Sequence, residues 1–452
     1  MSNNNEYEID FRKGVVRIDV KKLMTMIANS RPKSKATLFS ILKREHLGNN
    51  IETITKSWPG RKGELMLSTI DDYISEHYEH VNIEEGTIKT SYRPINCGQE
   101  NENLAVMVEG LRALKPSSES SKKHNLIISH ELDWDGDIRI TVYFSSTNTE
   151  SREEATDFIK ELEDFHWENS PMRGKVFDML FNILDRDNQS VDNLTLNEST
   201  QKKVDFHIIE YINSLEILKQ NNVSINRGII LSGPPGTGKT LIVKDVINRT
   251  QLTTIVITTA MLSQHLVSDA YRIARKLAPC IVVLEDLDSA GGISRKLSDH
   301  PILGEMLSAL NGIESNDGVI TLATTNYNEN LDEALRDRPG RFDVCIKVGL
   351  PDQGSRRILI KSILKNYKIG ESLDLEYIVK QTDQWTGAWI NELIKTALTH
   401  AIICNQSNII QQSNITEAIK DIRERRNEAR TASGQLSDYC LDSKANEEVG
   451  VF

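Results

Sequence analysis

Short apolar segments alternate with amphipathic segments between about residues 190 and 350 of this 452-residue chain. The apolar segments have the length of buried strands, and the amphipathic segments repeat at the spacing of helices. Their alternation predicts an α/β fold with a doubly wound, mostly parallel sheet. The candidate strands read GIILSG, TTIVIT, CIVVLE, GVITLATT and CIKVGL.

The N-terminal region shows two other patterns. Apolar residues at helical spacing between residues 15 and 80 predict a mostly helical, basic domain over residues 1–98. Further along, NLIISHEL and IRITVYFSS flank the turn sequence DWDGD, which predicts a β-hairpin. A helix from about Ser151 to Trp167 would complete a ββα adaptor domain over residues 99–170. DWDGD lacks a full calcium-loop signature, so we favour a hairpin turn over a cation site.

Helical periodicity continues from Pro351 to about Arg430, which predicts a helical lid over residues 351–430. We therefore expect a large α/β subdomain at residues 171–350, then the lid, then a polar tail at residues 431–452. The tail has the composition of a disordered segment.

The N-terminal segment differs in charge from the rest of the chain. The chain has a net charge of −11, but residues 1–60 hold eleven Lys and Arg against six Asp and Glu. The basic stretch SRPKSKATLFSILKREHLGNN also fits a helix–break–helix module. We favour an ordinary solvated surface, with DNA contact as the alternative through Lys33, Lys35, Lys43 and Arg44.

Cysteine usage and hydropathy indicate the compartment. The five cysteines are scattered without CxxC spacing, which is typical of reduced thiols. The first residues lack a signal-peptide pattern, and no apolar run reaches the length of a membrane span. We therefore expect a cytoplasmic protein.

The sequence GPPGTGKT follows the predicted strand GIIL and opens an amphipathic helix, which is the context of a phosphate-binding loop. Its glycines let backbone N–H groups turn toward phosphate oxygens. Lys239 would reach the β and γ phosphates, and the Thr240 hydroxyl would ligate Mg²⁺. The predicted nucleotide-binding residues here are Gly233, Pro234, Pro235, Gly236, Thr237, Gly238, Lys239, Thr240 and Leu241.

A second motif is CIVVLEDLD, in which Glu285 and Asp286 directly follow the apolar strand CIVVL. With the phosphate loop, the chain resembles the AAA branch of the P-loop ATPases over about residues 171–430. Further motifs occur in that family's order: TLATTN ending at Asn326, then LDEALRDRPGRFD, then GLPD, then TGAWINEL. Within these motifs, Arg338 and Arg341 resemble arginine fingers, while Gly387 and Ala388 resemble the segment near the adenine.

The resemblance implies Mg²⁺-dependent ATP hydrolysis by a ring, commonly a hexamer, with the arginine fingers supplied by a neighbouring subunit. It aligns Glu285 with the magnesium-side position and Asp286 with the water-activating position, although most relatives have Asp first and Glu second. It also aligns Asn326 with the residue between phosphate and water. Two features resemble a bacterial AAA subgroup and, more loosely, the mitochondrial Rieske-protein translocase. One is the E–D order, and the other is the segment after the predicted strand TTIVIT, which is shorter than the usual family segment.

We expect an oligomeric ATPase that remodels a protein or protein complex through its N-terminal domains. The shortened segment lacks the aromatic–glycine sequence with which most AAA unfoldases contact a polypeptide in the central pore. His265 and Leu266 are its nearest candidates, because Tyr271 is expected within the next helix. An ATP-dependent assembly switch with little turnover and a DNA-associated ATPase are the alternatives. No HExxH occurs, so proteolysis would need a separate partner protein.

Overall fold

The computed structural model describes residues 6–11, 14–19, 35–81, 90–96, 103–186, 194–258, 261, 266–290, 305–306, 308–310, 315–327 and 341–432. The chain divides into two compact units, residues 1–171 and 172–452. No helix among these residues has both the length and the apolar character that a membrane span requires.

Unit 1 is an α+β structure. Its helices are α1 (Lys35–Leu47), α2 (Gly60–Leu67), α3 (Ile70–His77) and α4 (Thr149–Glu168). Its strands are β1 (Glu6–Phe11), β2 (Gly14–Asp19), β3 (Ile51–Trp58), β4 (Tyr78–Val81), β5 (Ser91–Asn96), β6 (Asn103–Pro116), β7 (Leu126–Leu132) and β8 (Ile138–Ser145). The main antiparallel sheet has the strand order β3-β8-β7-β6-β4, with β5 paired to β6, and β1 pairs with β2 separately.

The predicted hairpin and the helix after it are confirmed as β7, β8 and α4. The helical prediction for residues 15–80 is wrong at β3, whose sequence IETITKSW pairs with β8 along its whole length. β-Branched residues on a half-exposed strand explain this outcome. The main sheet therefore contains strands from both sides of residue 98, where we expected a domain boundary.

Within the described residues, the basic segment near the N-terminus forms one helix, α1, followed by β3. Residues 20–34, including Lys33, lie outside the described residues. The ammonium group of Lys43 lies 4.4 Å from the ring centroid of Phe39 and 5.2 Å from that of Tyr143. Lys43 therefore packs on aromatic rings within its own unit. DNA contact by this segment stays a prediction.

Unit 2 contains the predicted parallel sheet. Within the described residues it has six strands in the order β14-β10-β13-β12-β11-β9. These are β9 (Val176–Asp178), β10 (Arg227–Ser232), β11 (Thr253–Ile257), β12 (Cys280–Leu284), β13 (Val319–Thr325) and β14 (Val344–Lys347). All five predicted strands are confirmed, and β9 is an addition at one edge.

Helices cover both faces of this sheet. Ile281 and Val283 of β12 belong to a buried cluster with residues of α5 (Glu198–Val204), a π-helical segment (Asp205–Glu210), α6 (Tyr211–Asn213), α7 (Leu215–Gln220) and α8 (Lys239–Thr250). On the other face lies α9 (Leu266–Lys276), whose buried Tyr271 hydroxyl is 2.6 Å from Oγ1 of Thr321 on β13. The sheet is therefore doubly wound, with alternate strand residues facing opposite helix layers.

The predicted helical subdomain follows the sheet. It consists of α10 (Gln353–Leu364), α11 (Leu375–Gln381), α12 (Gly387–Asn405) and α13 (Gln412–Ala432). Two short parallel strands, β15 (Lys368–Ile369) and β16 (Ile409–Ile410), pair beside them. These helices share a second hydrophobic core, which includes Ile360, Ile390 and Ile415 and is separate from the core of the sheet. We call residues 351–432 the lid.

Candidate nucleotide-binding site

The phosphate loop lies between the carboxyl end of β10 and the first turn of α8, as its sequence predicts. The Thr237 hydroxyl donates a 2.9 Å hydrogen bond to the Pro234 carbonyl, which closes the turn. Gly236 has φ +78°, a left-handed conformation that glycine adopts at little cost. The loop is largely open to solvent at Pro234, Pro235 and Gly236, and Thr240 is also exposed. Backbone N–H groups at the start of α8 are thus available to an anion.

Lys239 is buried and points back over the loop. Its Nζ donates to the carbonyl oxygens of Gly233 at 2.7 Å and Pro234 at 3.0 Å, and to Oδ1 of Asn326 at 2.7 Å. Burial lowers the pKa of Lys239, and the nearby carboxylates of Asp286 and Asp288 partly oppose that shift. The ammonium group is therefore held among oxygen atoms beside the loop, in position to exchange carbonyl oxygens for phosphate oxygens.

Two carboxylates follow β12 at the same edge of the sheet, because the carboxyl ends of parallel strands meet there. Glu285 is half-buried and Asp286 is exposed. Asp286 has φ +50°, and its N–H donates a 2.9 Å hydrogen bond to Oγ1 of Thr324 on β13. Burial and the adjacent Asp286 raise the pKa of Glu285, with Lys244 opposing. The exposed Asp286 has the better access to water.

A third carboxylate at this edge was missed from the sequence. Asp288 lies in a 3-10 turn (Leu287–Ala290), and its two oxygens accept hydrogen bonds from Asn326, from the backbone N–H at 2.8 Å and from Nδ2 at 3.1 Å. Burial alone would raise the pKa of Asp288, but these hydrogen bonds and one from Thr325 lower it overall. The signal was present as the last residue of CIVVLEDLD, to which we assigned no role.

The predicted adenine-side residues contact the phosphate loop through the start of α12. The Ala388 N–H donates a 3.1 Å hydrogen bond to the Gly236 carbonyl. Thr386 caps α12 through a hydrogen bond from the Trp389 N–H, and Gly387 is its first residue. A β-carbon on Gly236 would lie 3.0 Å from both the Ala388 β-carbon and the Thr386 Oγ1. The lid and the phosphate loop are therefore in direct contact.

This edge of the sheet thus brings together a phosphate loop, a buried lysine, three carboxylates and an asparagine. A family model for the ATPase family associated with various cellular activities (AAA) matches residues 229–350, from β10 to just after β14. The chain contains an AAA ATPase domain. ATP and Mg²⁺ are the nucleotide and metal of such domains.

Similar proteins match up to half of the chain's length. An ATP-dependent zinc metalloprotease YME1 homolog of Schistosoma mansoni is 33% identical over 215 residues, which are 45% of this chain and 32% of that protein. An ATP-dependent zinc metalloprotease FtsH 2 of Bdellovibrio bacteriovorus is 34% identical over 206 residues, 42% and 33% of the two chains. A proteasome-activating nucleotidase of Saccharolobus solfataricus is 31% identical over 237 residues, 50% and 60%. The chain thus spans about a third of the length of these metalloproteases.

Of the two predicted arginine fingers of the AAA domain, Arg341 lies among the described residues. Arg338 lies outside the described residues. Arg341 is buried, and its carbonyl oxygen occupies the space where a β-carbon of Gly228 would lie. Gly228 is near the amino end of β10, whereas the phosphate loop begins after the carboxyl end of that strand. At about 3.3 Å per residue, the Arg341 backbone is roughly 15 Å from the start of its own phosphate loop.

The segment predicted to face a ring pore is only partly described. His265 lies outside the described residues, and Leu266 is the first residue of α9. Tyr271 is buried within α9, as predicted, and belongs to the core.

The side chains of the AAA domain fit Mg²⁺. Mg²⁺ in ATPases is bound by one or two protein oxygen ligands together with phosphates and water, without a cage of protein side chains. The two residues predicted to hold the metal, Thr240 and Glu285, carry oxygen atoms of that kind at one edge of the sheet. Among the described residues, no three or more His, Cys, Asp or Glu side chains are grouped as a metal site. This arrangement suits a metal that arrives with its nucleotide.

Proposed function

We propose that this protein is a Mg²⁺-dependent ATP hydrolase that works as a ring, most simply a hexamer, and remodels a protein or protein complex. The observation that carries the proposal is the hydrogen bond between Lys239 Nζ and Asn326 Oδ1. It joins the phosphate loop to the residue expected to contact the attacking water. Asp286 and Asp288 lie close enough to affect the Lys239 pKa.

In the proposed reaction, backbone N–H groups of the phosphate loop bind the β and γ phosphates. Lys239 compensates their charge, while Thr240 and Glu285 would hold the metal. When bound, Mg²⁺ neutralises charge that develops on the transferred phosphoryl group. Asp286 accepts a hydrogen bond from the attacking water and orients it. The Asn326 amide fixes the other side of that water.

A ring assembly is supported by the place of Arg341. Its backbone lies at the amino edge of the sheet, opposite the phosphate loop of the same chain, and about 15 Å is more than an arginine side chain spans. If Arg341 contacts a γ-phosphate, that phosphate must therefore belong to the nucleotide of another copy. Head-to-tail contacts that close into a ring supply such a site in every subunit.

A protein client is supported by the relatives. Two are named ATP-dependent zinc metalloproteases, and one is named a proteasome-activating nucleotidase. We propose that this chain likewise uses ATP to act on a polypeptide. Unit 1, which lies outside the matched family model, would select the client. We propose that any proteolysis of the client is carried out by a separate partner protein.

Phosphate release by the purified full-length protein tests the proposal. We expect Mg²⁺-dependent multiple turnover that falls at least about 10²-fold in Lys239→Ala, because the substitution removes the charge beside the transferred phosphate. Equal rates in the two proteins would overturn the assignment. ATP-dependent assembly with negligible turnover in the wild type would instead support an assembly switch.

A further inference from the structure

Asp288 and Asn326 lie at the ends of neighbouring strands. β12 and β13 are parallel and paired in register, with Leu284 opposite Ala323. The turn after β12 therefore brings the Asp288 carboxylate beside the residue that follows β13. Both carboxylate oxygens bind the same partner: Oδ1 accepts from the backbone N–H of Asn326 at 2.8 Å, and Oδ2 accepts from Nδ2 at 3.1 Å.

A primary amide has one face that donates and one that accepts, and its neighbours decide which way it turns. The ammonium group of Lys239 can only donate, and it lies 2.7 Å from Oδ1 of Asn326. An ionised carboxylate can only accept, and Asp288 lies on the Nδ2 side. The two neighbours therefore hold the amide in one orientation. Hydrogen bonds to Asp288 lower its pKa despite burial, which keeps the carboxylate ionised at neutral pH.

We propose that Asp288 is a positioning residue for ATP hydrolysis, which fixes the Asn326 amide with its oxygen toward Lys239 and the γ-phosphate site. This inference rests on the proposed function, in which Asn326 orients the attacking water. Both oxygens of Asp288 bind Asn326, and the Asp288 charge also opposes the lowering of the Lys239 pKa. Its loss should therefore affect the chemical step more than ATP binding.

The isosteric substitution Asp288→Asn separates positioning from a simple structural role. The new side chain keeps the shape and can still accept from the backbone N–H of Asn326. It also places an NH₂ group against the NH₂ group of Asn326, so one of the two amides must turn over. If the Asn326 amide turns, it presents hydrogen atoms to the Lys239 ammonium group, and the oxygen that contacts Lys239 is lost.

Steady-state hydrolysis and ATP affinity should be measured for the full-length wild type and Asp288→Asn. We expect kcat to fall about 10²-fold, since a small displacement of a positioning group has that cost, with the ATP affinity changed less than about 3-fold. Asp317→Asn makes the same chemical change on an exposed carboxylate near the amino end of β13 and should leave both values unchanged. A wild-type kcat in Asp288→Asn would overturn the proposal. A fall of kcat and ATP affinity by the same factor, together with a lower melting temperature, would overturn it as well.

A double-mutant cycle tests the pairing without relying on turnover. Asn326→Asp places two carboxylates against each other, whereas Asp288→Asn with Asn326→Asp restores one donor opposite one acceptor. We expect each single substitution to lower the melting temperature and the double variant to recover more than about half of the combined loss. Additive losses would overturn the pairing. If the wild type did not hydrolyse ATP, the proposed function would fail, while this cycle would still decide whether Asp288 fixes Asn326.

Discussion

Lys239 Nζ donates a 2.7 Å hydrogen bond to Asn326 Oδ1, across 87 residues of sequence. The contact exists because Ser232, which precedes the phosphate loop, is paired in register with Thr325, which precedes Asn326. A phosphate that binds Lys239 must therefore alter the surroundings of Asn326. Lys239, which we propose binds phosphate, and Asn326, which we propose contacts the attacking water, are thus directly hydrogen-bonded to each other. Substitutions at this edge of the sheet should separate their roles.

Asp286 combines a side chain that we propose orients the attacking water with a left-handed backbone. Its φ of +50° is tolerated by Asp and Asn but costs roughly 1–2 kcal/mol for other L-residues. We expect Asp286→Asn to retain ATP binding and thermal stability while losing about 10²–10⁴-fold in single-turnover hydrolysis, because the base is removed. Asp286→Ala should lose a comparable amount of activity and also about 1 kcal/mol of stability.

Single-turnover hydrolysis and urea unfolding of both Asp286 variants measure these two effects separately. Unchanged hydrolysis in Asp286→Asn would show that Asp286 does not orient the water. Glu285→Gln would then be the variant expected to lose hydrolysis, and the roles of the two carboxylates would be reversed relative to the alignment.

The contact between Gly236 and the lid should set nucleotide affinity. In Gly236→Ala, the added methyl group would lie 3.0 Å from Ala388 and Thr386, and φ +78° would be strained. We expect ATP affinity to fall by about tenfold, which corresponds to roughly 1.4 kcal/mol. Equilibrium titration with a fluorescent ATP analogue measures it. Gly349→Ala is the matched control, because nothing lies within 4 Å of its added β-carbon. Equal ATP affinities in both variants would contradict the prediction that the contact with the lid sets nucleotide affinity.

The sequence predicts the sheet of the AAA domain well because buried parallel strands are continuous apolar runs. β9 is not predicted in this way because Val176–Asp178 is only three residues long. β3 is not predicted because its polar face gives IETITKSW a mixed pattern that periodicity alone does not assign. In each case the strand is defined by its neighbours in the sheet.

The sequence likewise indicated most, but not all, of the residues that the structure brings together at the candidate site. The phosphate loop, Glu285, Asp286 and Asn326 were found because they are short motifs next to recognisable strands. Asp288 was missed because its role depends on a 3-10 turn and on β12 being the neighbour of β13. The burial of Arg341 was likewise not visible, since it results from packing against β10, more than 100 residues away in sequence.

Two buried histidines should make unit 1 sensitive to acid. Burial, with Arg112 nearby, lowers the pKa of His130 to about 3; burial, with Lys62 nearby, lowers that of His166 to about 3. Both are neutral when folded, so between about pH 6.5 and 3 the unfolded chain binds more protons and stability falls as the pH falls. At pH 5 each histidine should cost about 2 kcal/mol relative to its value above pH 6.5.

Urea unfolding at pH 7 and pH 5 tests the histidine prediction. His130→Gln and His166→Gln should each reduce the difference between the two pH values, because the group that gains a proton on unfolding is removed. His80→Gln, on the exposed part of β4, is the control for replacing a surface histidine. Identical pH dependence in wild type and both buried-site variants would contradict the prediction.

Mixed assemblies should reveal whether an arginine acts between subunits. Arg338→Ala subunits keep an intact phosphate loop, and Lys239→Ala subunits keep intact arginines. Arg338→Ala alone should be at least about 10³-fold slower than the wild type, since an arginine finger contributes 10³–10⁵ in related enzymes. Lys239→Ala alone should be at least about 10²-fold slower, as stated above. Mixed in equal amounts and allowed to exchange, they should recover a clear fraction of wild-type phosphate release, because some interfaces then combine an intact loop with an intact arginine.

Arg341→Ala serves as a comparison in the same experiment. Arg341 is buried, so its substitution should lower the melting temperature, and its mixtures with Lys239→Ala should recover less activity than those of Arg338→Ala. Light scattering on each mixture with bound ATP establishes that subunits have assembled. Assembled mixtures that remain as slow as the single variants would show that Arg338 does not act on the nucleotide of a neighbouring subunit.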